Sequence, residues 1–235
     1  MLFYDNLPEF IVNEREKLER LTMANLPEVG VVVEVLAPSN NQDSTSDPGY
    51  LITQPVDRLS IDCDGVDGDR HRGLTRPATG REGPLYKNSA VRIANRRQMF
   101  AVSPADCDEL SRRLGVEVTP RLLGANLVIG REDGADYSLS AIPLNTYLAI
   151  APADALTQPR PPIATLVHFL RQKGCSRTGR AIAGAHGDSS LIQRFVINSK
   201  EHRGILCSVE YPVDTPAILE RGQKVFFKFP MGCCD

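Results

Sequence analysis

An α+β domain built on a curled sheet is the fold class that the sequence predicts. Three observations point to it. Short apolar runs of strand character recur at irregular intervals, a few segments between them carry helical spacing and end signals, and no internal repeat or convincing linker divides the 235 residues. The composition, 42% hydrophobic and 24% charged, sets aside coiled coil, collagen and wholesale disorder for the chain as a whole.

In chain order, Asn6-Leu7-Pro8 reads as an N-cap with an early helical proline, and Phe10, Ile11, Leu18 and Leu21 make one apolar face, which predicts a helix over 7–24. Residues 1–29 are thus expected to be a helical extension packed on a domain spanning 30–229, with 230–235 as a tail. Val31 to Leu36, valine-rich and apolar except for Glu34, predicts a mostly buried strand. The polar stretch 39–49 predicts a mobile loop. Leu59 to Asp62 and Gln98 to Val102 read as strands on either side of a charged, Gly-rich region. Pro104 to Leu114 has acids at its start and arginines at its end, as the helix dipole prefers, and predicts a helix. Leu127 to Ile129, Tyr147 to Ile150 and Ala164 to Leu170 are further strands, and Arg180 to His186 is a short helix. Leu191 to Ser199 fits either period. Ile205 to Tyr211 and Lys224 to Phe229 close the set as strands.

Charge and aromatic content narrow the partners. A net charge of −2 disfavours a broad nucleic-acid footprint, and 6% aromatics with no Trp leaves little for stacking on single strands. No apolar run approaches the ~20 residues needed to span a bilayer. Asp5, Glu9, Glu14 and Glu16 stand where a signal peptide would carry a basic and then an apolar run. The expected compartment is therefore the cytoplasm, where the six cysteines are thiols rather than a disulfide framework.

Two segments carry chemistry. In Asp67-Gly68-Asp69-Arg70-His71-Arg72-Gly73, glycines bracket charged residues, so the backbone can approach a ligand closely. From Arg70 to Arg97 eight basic residues face a single acid, Glu82, a local charge of +7 suited to a phosphate or carboxylate. A solvated surface loop is the alternative. The Asp spacing lacks the ligand pattern of a calcium loop, and Cys63 with His71 is not a zinc spacing. The second segment, Lys173-Gly174-Cys175-Ser176-Arg177-Thr178-Gly179-Arg180, sets a cysteine between glycines with Lys173, Arg177 and Arg180 nearby, an environment that favours the thiolate. Such a thiolate can attack an electrophile or ligate a soft metal. The alternative for Cys175 is a buried small residue at a strand end. Cys63 and Cys207 lie in or beside strand-like runs, Cys107 starts an acidic helix, and Cys233-Cys234 lie in the tail.

These segments, in this order, resemble the MOSC domain, named for the C-terminal domain of molybdenum cofactor sulfurases. The resemblance rests on Val66-Asp67-Gly68-Asp69-Arg70-His71, on Leu123-Gly124-Ala125-Asn126-Leu127-Val128-Ile129, on Gly174-Cys175 with Gly179-Arg180, and on Arg203-Gly204-Ile205 with Gly222. Asn95-Arg96-Arg97-Gln98 is similar to the family's basic segment entering a strand. The resemblance implies a β-rich barrel with peripheral helices. It implies the pyranopterin molybdenum cofactor, held by Asp69, Arg70, Arg72, Arg96, Arg97, Asn126 and Arg203, with Cys175 as metal ligand and Cys175 and His71 as the catalytic pair. It further implies reduction of an N-hydroxylated small molecule or handling of cofactor-bound sulfur. With no iron–sulfur or flavin motif in the chain, a reductase needs a separate electron-donor protein. Two alternatives stand beside this reading: a non-catalytic carrier for the cofactor or another anionic metabolite, and a degenerate member without metal. His71 reads equally as a proton donor or as a turn histidine holding Asp69. Pro162-Ile163 is a second alignment for the family's Pro-Cys site, and Ile163 cannot ligate a metal.

Overall fold

The computed structural model describes residues 30–39, 51–78, 91–131, 137–158 and 160–230. The expected 7–24 helix, residues 40–49 of the polar loop, Arg81, Lys87 and Cys233-Cys234 lie outside the described residues.

A closed barrel of seven strands forms the centre of the molecule. The strands are β1 (Gly30–Pro38), β7 (Met99–Val102), β8 (Leu127–Gly130), β9 (Tyr147–Ala151), β10 (Ala164–Arg171), β11 (Ile205–Tyr211) and β13 (Lys224–Lys228). They follow the order β13-β9-β10-β11-β7-β8-β1, and Gly30 opposite Val225 closes the ring. All pairs are antiparallel except β7 with β8. β2 (Thr53–Val56) extends β1 beyond the barrel, β3 (Arg58–Asp62), β4 (Gly65–Val66) and β12 (Ala217–Glu220) make a small second sheet, and β5 (Thr75–Pro77) pairs with β6 (Arg92–Ala94).

The two-residue period of the strands sorts side chains between two cores. Met99, Ala101, Leu127, Ile129, Ile205 and Cys207 point into the barrel. Phe100, Val102, Val128 and Leu206, their alternating neighbours, point outward into a second core under the helices. Those helices are α1 (Pro104–Leu114), α2 (Pro120–Leu123), α3 (Ser176–His186) and α4 (Leu191–Asn198). Ser103 and Asp106 form a capping box at the start of α1, and left-handed Gly115 ends it. The ambiguous 191–199 segment is helical because Leu191 and Phe195, one turn apart, are both fully buried in the outer core. α3 begins at Ser176, earlier than the expected Arg180, because Cys175 takes the extended conformation of an N-cap. Among the described residues no helix is long and apolar enough to cross a membrane.

Candidate functional site

On the outer wall of the barrel a cleft of about 640 Å³ lies between the 63–73 loop and the start of α3. Its floor is Phe100 and Leu206, the outward residues of β7 and β11.

The loop is tied to the barrel from several sides. Asn95 donates from Nδ2 to the carbonyls of His71 (2.6 Å) and Gly73 (2.8 Å). Gln98 donates to the carbonyl of Cys63 and accepts from the amide of Val209. Asp69 is nearly enclosed, with a side chain 7% exposed. Its Oδ1 accepts from the His71 amide at 2.7 Å and the His71 Nδ1 at 3.1 Å, and its Oδ2 accepts from Asn126 Nδ2 at 3.1 Å. Desolvation alone would raise the Asp69 pKa, but the hydrogen bonds from His71 and Asn126 outweigh it and hold the carboxyl below its usual range. A carboxylate only accepts, so the ring Nδ1 of His71 carries the hydrogen and the imidazole is fixed in orientation.

Cys175 lies across the cleft, half-buried at the N-terminus of α3. The glycine before it is a packing requirement: a Cβ on Gly174 would lie 2.3 Å from Ser199 Oγ and 2.9 Å from the Val196 carbonyl. Behind the sulfur sits Arg203, 3% exposed. Its Nη1 donates to the Lys173 carbonyl and reaches Cys175 Sγ at 3.7 Å, and its Nη2 donates to Thr178 Oγ1 and the Leu123 carbonyl. The Phe100 and Phe195 rings flank the guanidinium at 5.5 and 5.4 Å. Burial pushes the Cys175 thiol up, but the Arg203 charge and the Thr178 and Arg203 hydrogen bonds prevail and bring it down to about 7. The other described thiols go the opposite way: burial raises Cys63, Cys107 (to about 12) and Cys207. The cation acting on Cys175 most strongly is therefore Arg203, from the turn just before β11, rather than its sequence neighbours Lys173, Arg177 and Arg180.

Among the described residues, Arg70, Arg97, Arg177 and Arg203 line the cleft with Asp69 as the one carboxylate, so its field favours an anion. Among the described residues no cluster of three or more His, Cys, Asp or Glu could hold a bare metal ion. One low-pKa thiol suits instead a metal that arrives with its own ligands; Gln172 lines the same cleft, and its buried Oε1 has no hydrogen-bond partner among the described residues.

The chain is 31% identical over 169 residues to a Bacillus subtilis (strain 168) protein named "Putative metal-sulfur cluster biosynthesis proteins YuaD", a match covering 71% of this chain and 80% of that one. This chain belongs to the YuaD family. The crystal structure of YuaD from Bacillus subtilis superposes with a TM-score of 0.68 and 26% identity, covering 87% of this chain and 98% of that one. No protein-family model matches the chain.

In this YuaD-family chain the residues singled out from the sequence divide into two groups. Cys175, Asp69, Arg70, His71, Arg97, Asn126 and Arg203, widely spaced in sequence, all line the cleft. Arg72 and Arg96 do not. Arg72 donates to the Asp62 carboxylate and the Gly65 carbonyl, bracing the loop from below. Arg96 lays its guanidinium over the Phe169 ring at 3.7 Å. The +7 segment is thus only partly an anion site, because Arg92 is likewise spent on the Thr75 hydroxyl and carbonyl. Ile163 packs against the barrel core. Three residues the sequence did not single out complete the site: Thr178 at the sulfur, and Asn95 and Gln98 under the loop. Their signal was membership of segments that the sequence did single out: Thr178 stands in the 173–180 stretch, and Asn95 and Gln98 flank Arg96-Arg97.

Proposed function

We propose that this chain is a MOSC-type protein whose cleft binds a phosphate-bearing pyranopterin molybdenum cofactor, with Cys175 as the thiolate ligand, in the handling of cofactor-bound sulfur. The observation that carries this reading is one low-pKa thiol sharing a cleft with Arg70, Arg97 and Arg177. The bound group would supply a soft metal centre and its sulfur ligands. The protein's part is to present the Cys175 sulfur from a helix N-terminus and to hold the phosphate between guanidinium forks. The printed name of the Bacillus subtilis relative, which refers to metal-sulfur cluster biosynthesis, supports the sulfur-handling branch.

The His71–Asp69 pair on the same cleft favours a second reading, reduction of an N-hydroxylated compound with electrons from a separate donor protein. In it, Asp69 holds the Nδ1 hydrogen and leaves Nε2 of His71 to carry a proton to substrate. Metal and pterin analysis of protein made in a cofactor-producing host tests the first reading. Wild type carries both, and Cys175→Ser loses molybdenum. A wild-type protein with neither overturns it. Turnover of an N-hydroxylated test compound with a supplied reductant separates the second reading from the first.

A further inference from the structure

Cys175-Ser176-Arg177-Thr178 places a threonine at the third position of α3, where the partner of an N-cap residue stands in a capping box. Thr178 is fully buried. Its Oγ1 meets Arg203 Nη2 at 2.5 Å and Cys175 Sγ at 3.3 Å. A guanidinium carries donors only, so the first contact uses the hydroxyl as acceptor. The hydroxyl proton must then point elsewhere, and the sulfur is the acceptor within reach. Arg203 cannot turn away to release it, because its own donors are also engaged by the Lys173 and Leu123 carbonyls.

We infer that Thr178 is a positioning residue, whose hydroxyl proton, directed by Arg203, joins the donors on the buried side of the Cys175 sulfur and leaves the sulfur's outer side turned to the arginine-lined cleft. Any bond that Cys175 makes then forms from the cleft side. The inference deepens the proposed function, and rests on it only for the identity of the group the sulfur binds. Valine matches the shape of threonine without the proton, whereas serine keeps the proton.

The test uses the full chain without cofactor. Buried hydroxyl protons exchange slowly enough to be seen by NMR, and the Thr178 hydroxyl proton should show a cross-peak to the Cys175 β-protons that shifts when Cys175 is alkylated by iodoacetamide. Thr178→Val should slow that alkylation at neutral pH by roughly three- to tenfold, the worth of one hydrogen bond, and Thr178→Ser should restore it to within about twofold. A folded Thr178→Val that reacts at the wild-type rate overturns the assignment, as does a Thr178→Ser as slow as the valine variant. Should the valine variant not fold, the wild-type cross-peak and the serine variant decide. Absence of molybdenum from wild type, with these results as expected, would sink the cofactor reading and leave Thr178 in place.

Discussion

Asn126 donates from Nδ2 to the Asp69 carboxylate at 3.1 Å, while its own Oδ1 accepts from the Phe100 amide at 3.0 Å. One carboxamide thus couples the 63–73 loop to the barrel strand β7, and with it the orientation of His71. Asn126→Ala leaves a buried amide and one carboxylate oxygen without their partners. The expected cost is about 1–3 kcal/mol, read from urea unfolding. The His71 ring should also lose its fixed tautomer, visible in the nitrogen shifts of the imidazole. An unchanged unfolding midpoint would contradict the coupling.

The Cys175 thiol should react with iodoacetamide along a curve centred near pH 7, while Cys107, held up at about 12, stays silent. The sign for stability follows. The folded pKa lies below the ordinary thiol value of 9.0, so ionised Cys175 stabilises the fold above that value, and the contribution disappears as pH falls through about 7. The stability difference between wild type and Cys175→Ser, measured by urea unfolding between pH 6 and 9, should therefore grow with pH. A flat difference would mean that Arg203 does not act on the thiolate.

His168 is fully buried in β10, with Nδ1 on the Pro143 carbonyl at 3.0 Å. Desolvation, helped by the Arg171 charge, holds its pKa below the ordinary 6.5. A folded pKa under the unfolded one means that neutral His168 contributes stability above about pH 6.5, and that the contribution is lost as pH falls through the lower, folded value. His168→Asn keeps a donor for Pro143 and removes the titration. Its thermal midpoint should fall less than that of wild type between pH 6.5 and 5.

The barrel strands were legible because both of their faces are buried, so that Met99 to Val102 and Leu127 to Ile129 read as short unbroken apolar runs; which face points inward was not. Two cleft walls were legible for a similar reason, since glycines and charges cluster within a few residues at 67–73 and 173–180. The force on the thiol was not. Arg203 is 28 residues from Cys175 and reaches it only because β10 and β11 pair and the chain turns back through α3 and α4. The small sheet was half missed as well, because a four-residue edge such as Ala217–Glu220 is too short to show a period.

Gly174 sits where a Cβ would lie 2.3 Å from Ser199 Oγ and 2.9 Å from the Val196 carbonyl. Gly174→Ala should therefore destabilise by about 1–3 kcal/mol, the usual penalty of overpacking. Ser199→Ala removes the nearest atom and should recover part of the loss. A double-mutant cycle measures the coupling, and additive effects would show that the strain is taken up at Val196 instead.

Neighbouring arginines should behave differently toward anions. Arg97 lines the cleft, whereas Arg96 stacks on Phe169. Inorganic pyrophosphate serves as the probe, titrated calorimetrically at low salt. Arg97→Gln removes a forked cation from the cleft and should weaken binding by about tenfold or more, the range for a hydrogen bond to a charged group. Arg96→Gln leaves the cleft intact, so binding should stay within about twofold of wild type, with a small loss of stability from the ring contact, about 0.5–1 kcal/mol. Equal weakening in both variants would mean that the anion senses only the summed field of the basic segment. Tighter dependence on Arg96 than on Arg97 would move the anion site out of the cleft and take the proposed phosphate contact with it.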